Sequence, residues 1–270
     1  MSSESLYFDG IHVLSYRQPS QPKKTILFVH GSWHGSWCWD EYFMPYFFSK
    51  GYNCYAVDLR AHGLSKPKAD WKMNFISLSN YVEDVQKVIE SLPDQNFTLV
   101  GHSMGGIVLQ KFLQKNHPKV SSAVLMAPAT PGGVLSNTIY MMVHHPIIYM
   151  QIALSYYLFL IVKNFKVFKE IFFHSETDEE RLRAYHAKMQ NESYRVYLNM
   201  MFARINYNII KTKVLILAAE NDVVFPPVHM RNLAKKLNCE LKFFPDTGHD
   251  IMLEKEWEKA AESIDRFIKS

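Results

Sequence analysis

The residue with the clearest chemical potential is Ser103, in the run Phe97-Thr98-Leu99-Val100-Gly101-His102-Ser103-Met104-Gly105-Gly106-Ile107-Val108. An apolar β-prone stretch precedes it and an apolar helical stretch follows. The Gly-x-Ser-x-Gly spacing therefore falls at a predicted strand-to-helix turn. Glycines flanking such a serine let strand and helix approach closely while the serine sits in a strained backbone conformation. The hydroxyl is then presented above the sheet at a helix N-terminus, whose field favours developing negative charge. A serine hydroxyl needs a base to take its proton and a carboxylate to orient that base. Two late turns offer them. Glu220-Asn221-Asp222 follows the apolar run Val214–Ala219, and Gly248-His249-Asp250 follows Leu241–Phe244, ahead of the last helical segment. None of the other eleven histidines follows the last strand. His102 adjoins the serine, but neighbours in so sharp a turn point apart, and it reads as a structural residue beneath the turn. Asp246 and Asp250 read as loop and helix-start residues.

Three segments carry a family resemblance. Gly101-His102-Ser103-Met104-Gly105-Gly106 resembles the nucleophile elbow of the α/β-hydrolase superfamily. His30-Gly31-Ser32-Trp33-His34-Gly35-Ser36-Trp37-Cys38-Trp39 and Asp58-Leu59-Arg60-Ala61-His62-Gly63-Leu64-Ser65 resemble its other loops, the first being similar to plant methylesterases and hydroxynitrile lyases. The resemblance runs in order along the chain apart from one central insertion. It implies a mostly parallel central sheet with helices on both faces, and a Ser103–Asp222–His249 triad with Glu220 as the local rival to Asp222. An attacked ester carbonyl needs two preorganised N–H donors. One is expected from Met104, the residue after the serine; by resemblance the other comes from Ser32 or Trp33. His62 follows the family's loop pattern and reads as structural. The activity implied is cleavage of a carboxylic ester through an acyl-enzyme, with no cofactor and no metal. A hydroxynitrile-lyase-like or perhydrolase/haloperoxidase-like enzyme on the same scaffold is the first alternative. A ligand-binding homologue without turnover is the second.

The elements that must position these residues are legible in the patterning. Asp9-Gly10 marks a hairpin between Leu6-Tyr7 and His12–Tyr16. Thr25–Val29, Cys54–Val57, Phe97–Val100, Ala123–Met126, Val214–Ala218 and Leu241–Phe244 are apolar on both alternate faces, as parallel strands covered on two sides must be. Helical stripes separate them: Leu78 to Leu92, Ile107 to Leu113, and Ile251 to Ile268. Strands alternating with helices predict an α/β fold, its core formed by residues 1–131 and 207–270. Between them, residues 132–206 show no convincing strand and are expected to form a helical cap. That segment is rich in Tyr, Phe, Met, Ile and Leu, then turns charged from Glu176 to Arg183.

Trp33, His34, Tyr140, Met141 and Tyr156 are expected to line the site. Met142, Tyr149, Met150, Tyr157 and Phe159 complete an apolar cover suited to a hydrophobic acyl or alcohol group. His34 also reads as a residue that organises its loop. His30 and His34 do not read as a zinc pair, since no third ligand is placed and His30 ends a strand. The longest apolar stretch, Ile147 to Val162, would span about 24 Å as one helix, short of a bilayer core of about 30 Å. No transmembrane segment is predicted. A further reading sets this stretch, with Lys163, Lys166 and Lys169 beside it, in contact with lipid.

Composition agrees with a single globular unit: 270 residues, 48% hydrophobic and 21% charged, with a net charge of +4. No run of Lys/Arg would track a nucleic-acid backbone. Three cysteines, an odd number without zinc or redox spacing, fit a reducing compartment. The start, MSSESLYFDG, lacks the pattern of a secretory leader, and the expectation is a cytoplasmic protein. The glycosylation sequons at Asn96 and Asn191 read as chance. Oligomeric state is not readable.

Overall fold

The computed structural model describes residues 3–20, 22–65, 70–174 and 178–270; Glu176, at the start of the predicted charged run, lies outside them. Its centre is an eight-stranded sheet: β1 (Glu4–Phe8), β2 (Ile11–Tyr16), β3 (Thr25–Val29), β4 (Asn53–Val57), β5 (Phe97–His102), β6 (Val120–Met126), β7 (Lys213–Ala219) and β8 (Glu240–Phe244). The spatial order is β1-β2-β4-β3-β5-β6-β7-β8. The β1–β2 and β2–β4 pairs are antiparallel and all others parallel. Every predicted strand is present. Asp9 and Gly10, both at positive φ, make the predicted hairpin turn.

The helices of the sheet layers are α1 (Trp37–Asp40), α2 (Phe43–Ser49), α3 (Leu78–Ser91) and α4 (Met104–Leu113); those that follow β6 are α5 (Pro131–His144), α6 (Pro146–Ser155), α7 (Leu160–Lys163), α8 (Phe165–Phe172), α9 (Glu179–Ala187) and α10 (Tyr194–Met201). After β7 come α11 (Pro227–Leu237) and, after β8, α12 (Trp257–Lys269). Alternation along the strands builds two cores. Ile26, Phe28, Cys54, Ala56, Val100 and Leu217 face α1, α2 and α12. Leu27, Val29, Tyr55, Leu99, Leu125 and Ile216 face α3, α4 and α11. Each fully buried side chain of this size contributes roughly 1.5–3 kcal/mol, so the strand register is strongly fixed.

β3 has β4 on one side and β5 on the other, so the chain reverses its direction of travel across the sheet there. The loops leaving the C-terminal ends of β3 and β5 are thereby brought side by side at a crevice, the usual ligand position in open parallel sheets.

Two expectations need correction. The stretch Ile147–Val162 is not one helix: α6 ends at Ser155, Tyr156 adopts a left-handed conformation (φ 55°), and the chain turns back before α7. The turn buries Leu158, Ile161 and Val162 while Tyr156 and Tyr157 remain outside. The last helix begins at Trp257, not Ile251. Residues 251–256 form turns, because the buried Glu254 carboxylate accepts the N–H groups of Gly248 (2.8 Å) and His174 (2.7 Å) and ties the chain down. Ile251, Met252 and Leu253 are buried from this irregular segment, which is why they mimic a helical stripe.

Candidate active site

Ser103 lies between β5 and α4 with φ 51° and ψ −116°, a sparsely populated backbone conformation for a non-glycine residue. The surrounding glycines permit it. A Cβ on Gly105 would sit 2.3 Å from the carbonyl oxygen of Val29, so only glycine lets α4 start against the end of β3. A Cβ on Gly31 would lie 2.8 Å from His102 Nδ1 and 3.0 Å from Ser103 Cβ, so glycine also brings the β3 loop onto the serine turn. Ser103 makes no side-chain cap to α4. Its Oγ instead lies 2.9 Å from His249 Nε2.

His249 follows β8, and its Nδ1 donates to Asp222 Oδ2 at 2.8 Å. Asp222 follows β7. Its other oxygen, Oδ1, accepts the backbone N–H groups of Val224 and Phe225, each at 2.8 Å. All three side chains are buried, whereas Glu220 is exposed. The geometry thus joins Asp222, not Glu220, to the histidine. Burial pulls the pKa of His249 down, but the charge and hydrogen bond of Asp222, with the charge of Asp250, outweigh it and leave the pKa raised above 6.5.

His102 is buried beneath the turn. Its Nε2–H donates to the His249 carbonyl at 3.1 Å, and its ring packs on the His249 ring at 4.8 Å between centroids. Burial first, then the neighbouring His249 and His34, push its pKa well below 6.5, so it stays neutral.

The β3 loop turns at Gly31-Ser32-Trp33-His34, closed by His34 N–H to Gly31 O, with Trp33 at φ 64°. Ser32 Oγ donates to Met104 Sδ at 3.4 Å and links this loop to the start of α4. Met104 is the first residue of α4, where a backbone N–H has no intrahelical acceptor. Both nitrogens of His34 are engaged, Nδ1 with Ser32 O (2.8 Å) and Nε2 with Asp250 Oδ2 (3.0 Å). His30 donates from Nδ1 to Gly31 O, and its Nε2 accepts the N–H of Leu59. Burial and the charge of His62 lower its pKa to about 3.

A narrow cavity of about 60 Å³ opens over Ser103. Ser32, Trp33 and Met104 form its floor, and Val224 and Phe225 one flank. Met141, Tyr149, Ile152, Leu158, Tyr194 and Tyr197, all from the segment between β6 and β7, close it above. Of the residues expected to line or cover the site, Trp33, Met141 and Tyr149 do. His34, Tyr140, Met142, Met150, Tyr156, Tyr157 and Phe159 are not in its lining. His34 is turned beneath the loop toward Asp250. Tyr140 packs on His144 and reaches Glu170 (3.4 Å). Tyr156 is 54% exposed because the α6 terminus carries it outward. Asp250 also departs from its reading as a helix-start residue: it is fully buried in a turn, joining the loop of His249 to that of His34.

Sequence reasoning missed two residues of the inserted segment. Gln190 accepts the N–H of Gly63, receives no other role from its spacing, and clamps the β3 loop by donating to His34 O (2.7 Å) while its N–H bonds Trp33 O (3.0 Å). Glu192 lines the cavity yet is almost fully buried. It accepts from Tyr81 Oη (2.9 Å) and Ser193 N–H (2.7 Å) and pairs with His62 Nε2 at 3.2 Å. Burial disfavours both charges, but each is stabilised by the other: the pKa of Glu192 is lowered and that of His62 raised. An Asn-Glu-Ser sequence in a polar turn gives no sign of a buried carboxylate.

Comparisons with known proteins agree with this architecture. Methylesterase 1 of Arabidopsis thaliana is 36% identical over 110 residues, 40% of this chain and 41% of that protein, so the match spans about two fifths of the relative's length. Among solved structures, an esterase from Exiguobacterium antarcticum superposes with a TM-score of 0.72 at 23% identity, covering 96% of each chain. A bromoperoxidase from Bacillus anthracis gives 0.74 at 16% identity over 100% of both. At such identities these two likenesses speak for the fold alone. The family model of the alpha/beta hydrolases matches residues 26–262, nearly the whole chain, and this protein therefore belongs to the alpha/beta hydrolase family.

Proposed function

We propose that the protein is a serine hydrolase that cleaves carboxylic esters carrying a hydrophobic acyl or alcohol group. The observation that carries this reading is the buried chain Ser103 Oγ–His249 Nε2, His249 Nδ1–Asp222 Oδ2, with contacts of 2.9 and 2.8 Å. Neutral His249 takes the Ser103 proton as Oγ attacks the ester carbonyl. Asp222 stabilises the imidazolium, and its two backbone hydrogen bonds hold its own geometry. The oxyanion is received by the N–H of Met104 and an N–H of the Ser32-Trp33 turn, aided by the N-terminal field of α4. Protonated His249 then gives its proton to the leaving alcohol. Water, deprotonated by the same histidine, releases the acid from Ser103.

The apolar wall supports a hydrophobic substrate, and the methylesterase likeness supports a carboxylic ester. The test is a panel of esters graded in acyl and alcohol length. The reading expects turnover that rises with apolar size, and a loss of at least about a thousandfold in Ser103→Ala with the fold retained. Full activity in that variant would refute it.

A further inference from the structure

The helices α5 and α6 are apolar on both of their sides. On α5, Val134, Asn137 and Met141 face the cavity, while Leu135, Ile139, Met142 and Val143 occupy the opposite side and are exposed. On α6, Tyr149, Ile152 and Ala153 face the cavity, while Ile147, Met150 and Leu154 lie opposite, with Ile147 68% and Leu154 78% exposed. At 100° per residue each exposed set falls within one stripe. A surface helix of a globular protein ordinarily turns polar groups to water, and a helix apolar all round is ordinarily buried. Seven large apolar side chains on two consecutive helices form a patch of the kind that marks an interaction site.

The charge around the patch says what covers it. From 131 to 174 the charged side chains are Lys163, Lys166, Lys169 and Glu170, three cations to one anion. Lys163 shares a surface groove with Ile148, Gln151, Leu154 and Leu160, so it stands at the edge of the α6 stripe. Lys166 and Lys169 are exposed on α8, next to Glu170, which receives Tyr140 Oη and lies 3.9 Å from His145 at the α5–α6 junction. An apolar surface with Lys163 at its edge, on a segment carrying three lysines to one glutamate, matches an acyl layer beneath anionic headgroups.

We infer that the α5–α6 hairpin docks on an anionic lipid surface, so that the helices roofing the cavity rest where membrane-dissolved esters are concentrated. The inference rests on the serine-hydrolase reading for its substrate, a lipid-borne ester, but the docking can be tested without it. Flotation of the full chain with phosphatidylcholine vesicles, with and without phosphatidylserine, measures binding directly. The expected result is binding that requires phosphatidylserine and falls as salt is raised. Ile147→Glu with Leu154→Glu should lower it by at least about tenfold, and Lys163→Glu with Lys166→Glu should abolish the phosphatidylserine preference. Hydrolysis of a short, water-soluble ester should be unchanged in both variants, since these residues face away from the cavity. Ser103→Ala protein should bind vesicles like the parent. The inference is overturned if the parent does not float with either vesicle, or if the Ile147/Leu154 variant binds undiminished. It is equally overturned if light scattering finds a dimer that this variant dissolves, because the patch would then be covered by a second copy. Vesicle binding without ester hydrolysis would sink the serine-hydrolase reading and leave the docking standing.

Discussion

Ser103 precedes His249 by 146 residues and Asp222 precedes it by 27, yet the three share two hydrogen bonds, and the chemistry proposed for them sets a pH dependence. The base must be neutral to accept the serine proton. Because Asp222 and Asp250 raise its pKa above 6.5, activity should rise with pH along a limb centred above 6.5. Asp222→Asn should lower kcat by several orders of magnitude. A pH–kcat/KM profile flat from pH 5 to 8 would contradict the assignment. These three residues were legible in the sequence because their neighbours announce turns after apolar strands. Asp250 and Glu192 were not, because nothing in local spacing tells a buried carboxylate from a solvated one; each is defined by a histidine far away in sequence, His34 or His62. The Glu192–His62 pair carries its own prediction. Glu192, with a lowered pKa, contributes stability above about pH 4.5 that is lost as pH falls through its folded value. His62, with a raised pKa, contributes below about pH 6.5 and loses that contribution as pH rises through its folded value. Glu192→Gln should therefore cost about 3 kcal/mol near pH 5.5, where both are charged, and less near pH 9. Urea unfolding of both proteins at the two pH values checks this, and an equal cost at both would contradict it.

At the level of elements, the close approach of α4 to β3 is what presents the serine. Gly105→Ala would place a methyl against the Val29 carbonyl, with no side chain able to yield. The expected outcome is a destabilisation of about 1–3 kcal/mol together with a fall in kcat larger than any change in KM, as the turn shifts; stability and kinetics like the parent would show that α4 is not held by this contact. Strands were readable because burial on both faces leaves continuous apolar runs between turn residues. The inserted helices were harder. Ile147–Val162 is uniformly apolar, and periodicity cannot mark a break whose cause is the burial of Leu158 and Ile161 against distant partners. In the same way Ile251–Leu253 imitates the first turn of α12 while being pinned as a loop by Glu254.

The whole molecule places the loops of β3, β5, β7 and β8 at one edge of the sheet and lays the helices between β6 and β7 over them. The tertiary order that does this, with β3 between β4 and β5, is invisible to local patterning. The same assembly leaves one apolar face, on α5 and α6, turned outward, and no helix of the described residues is long and apolar enough to cross a membrane. Everything proposed for the cavity depends on Ser103 being an activated nucleophile. The most direct measurement is reaction of the folded protein with a fluorophosphonate, followed by mass spectrometry of its peptides. The account predicts one phosphonyl group per chain, attached to Ser103, with labelling at least about a hundredfold slower in His249→Ala. A folded protein that stays unlabelled, or that carries the label at another residue, would contradict it.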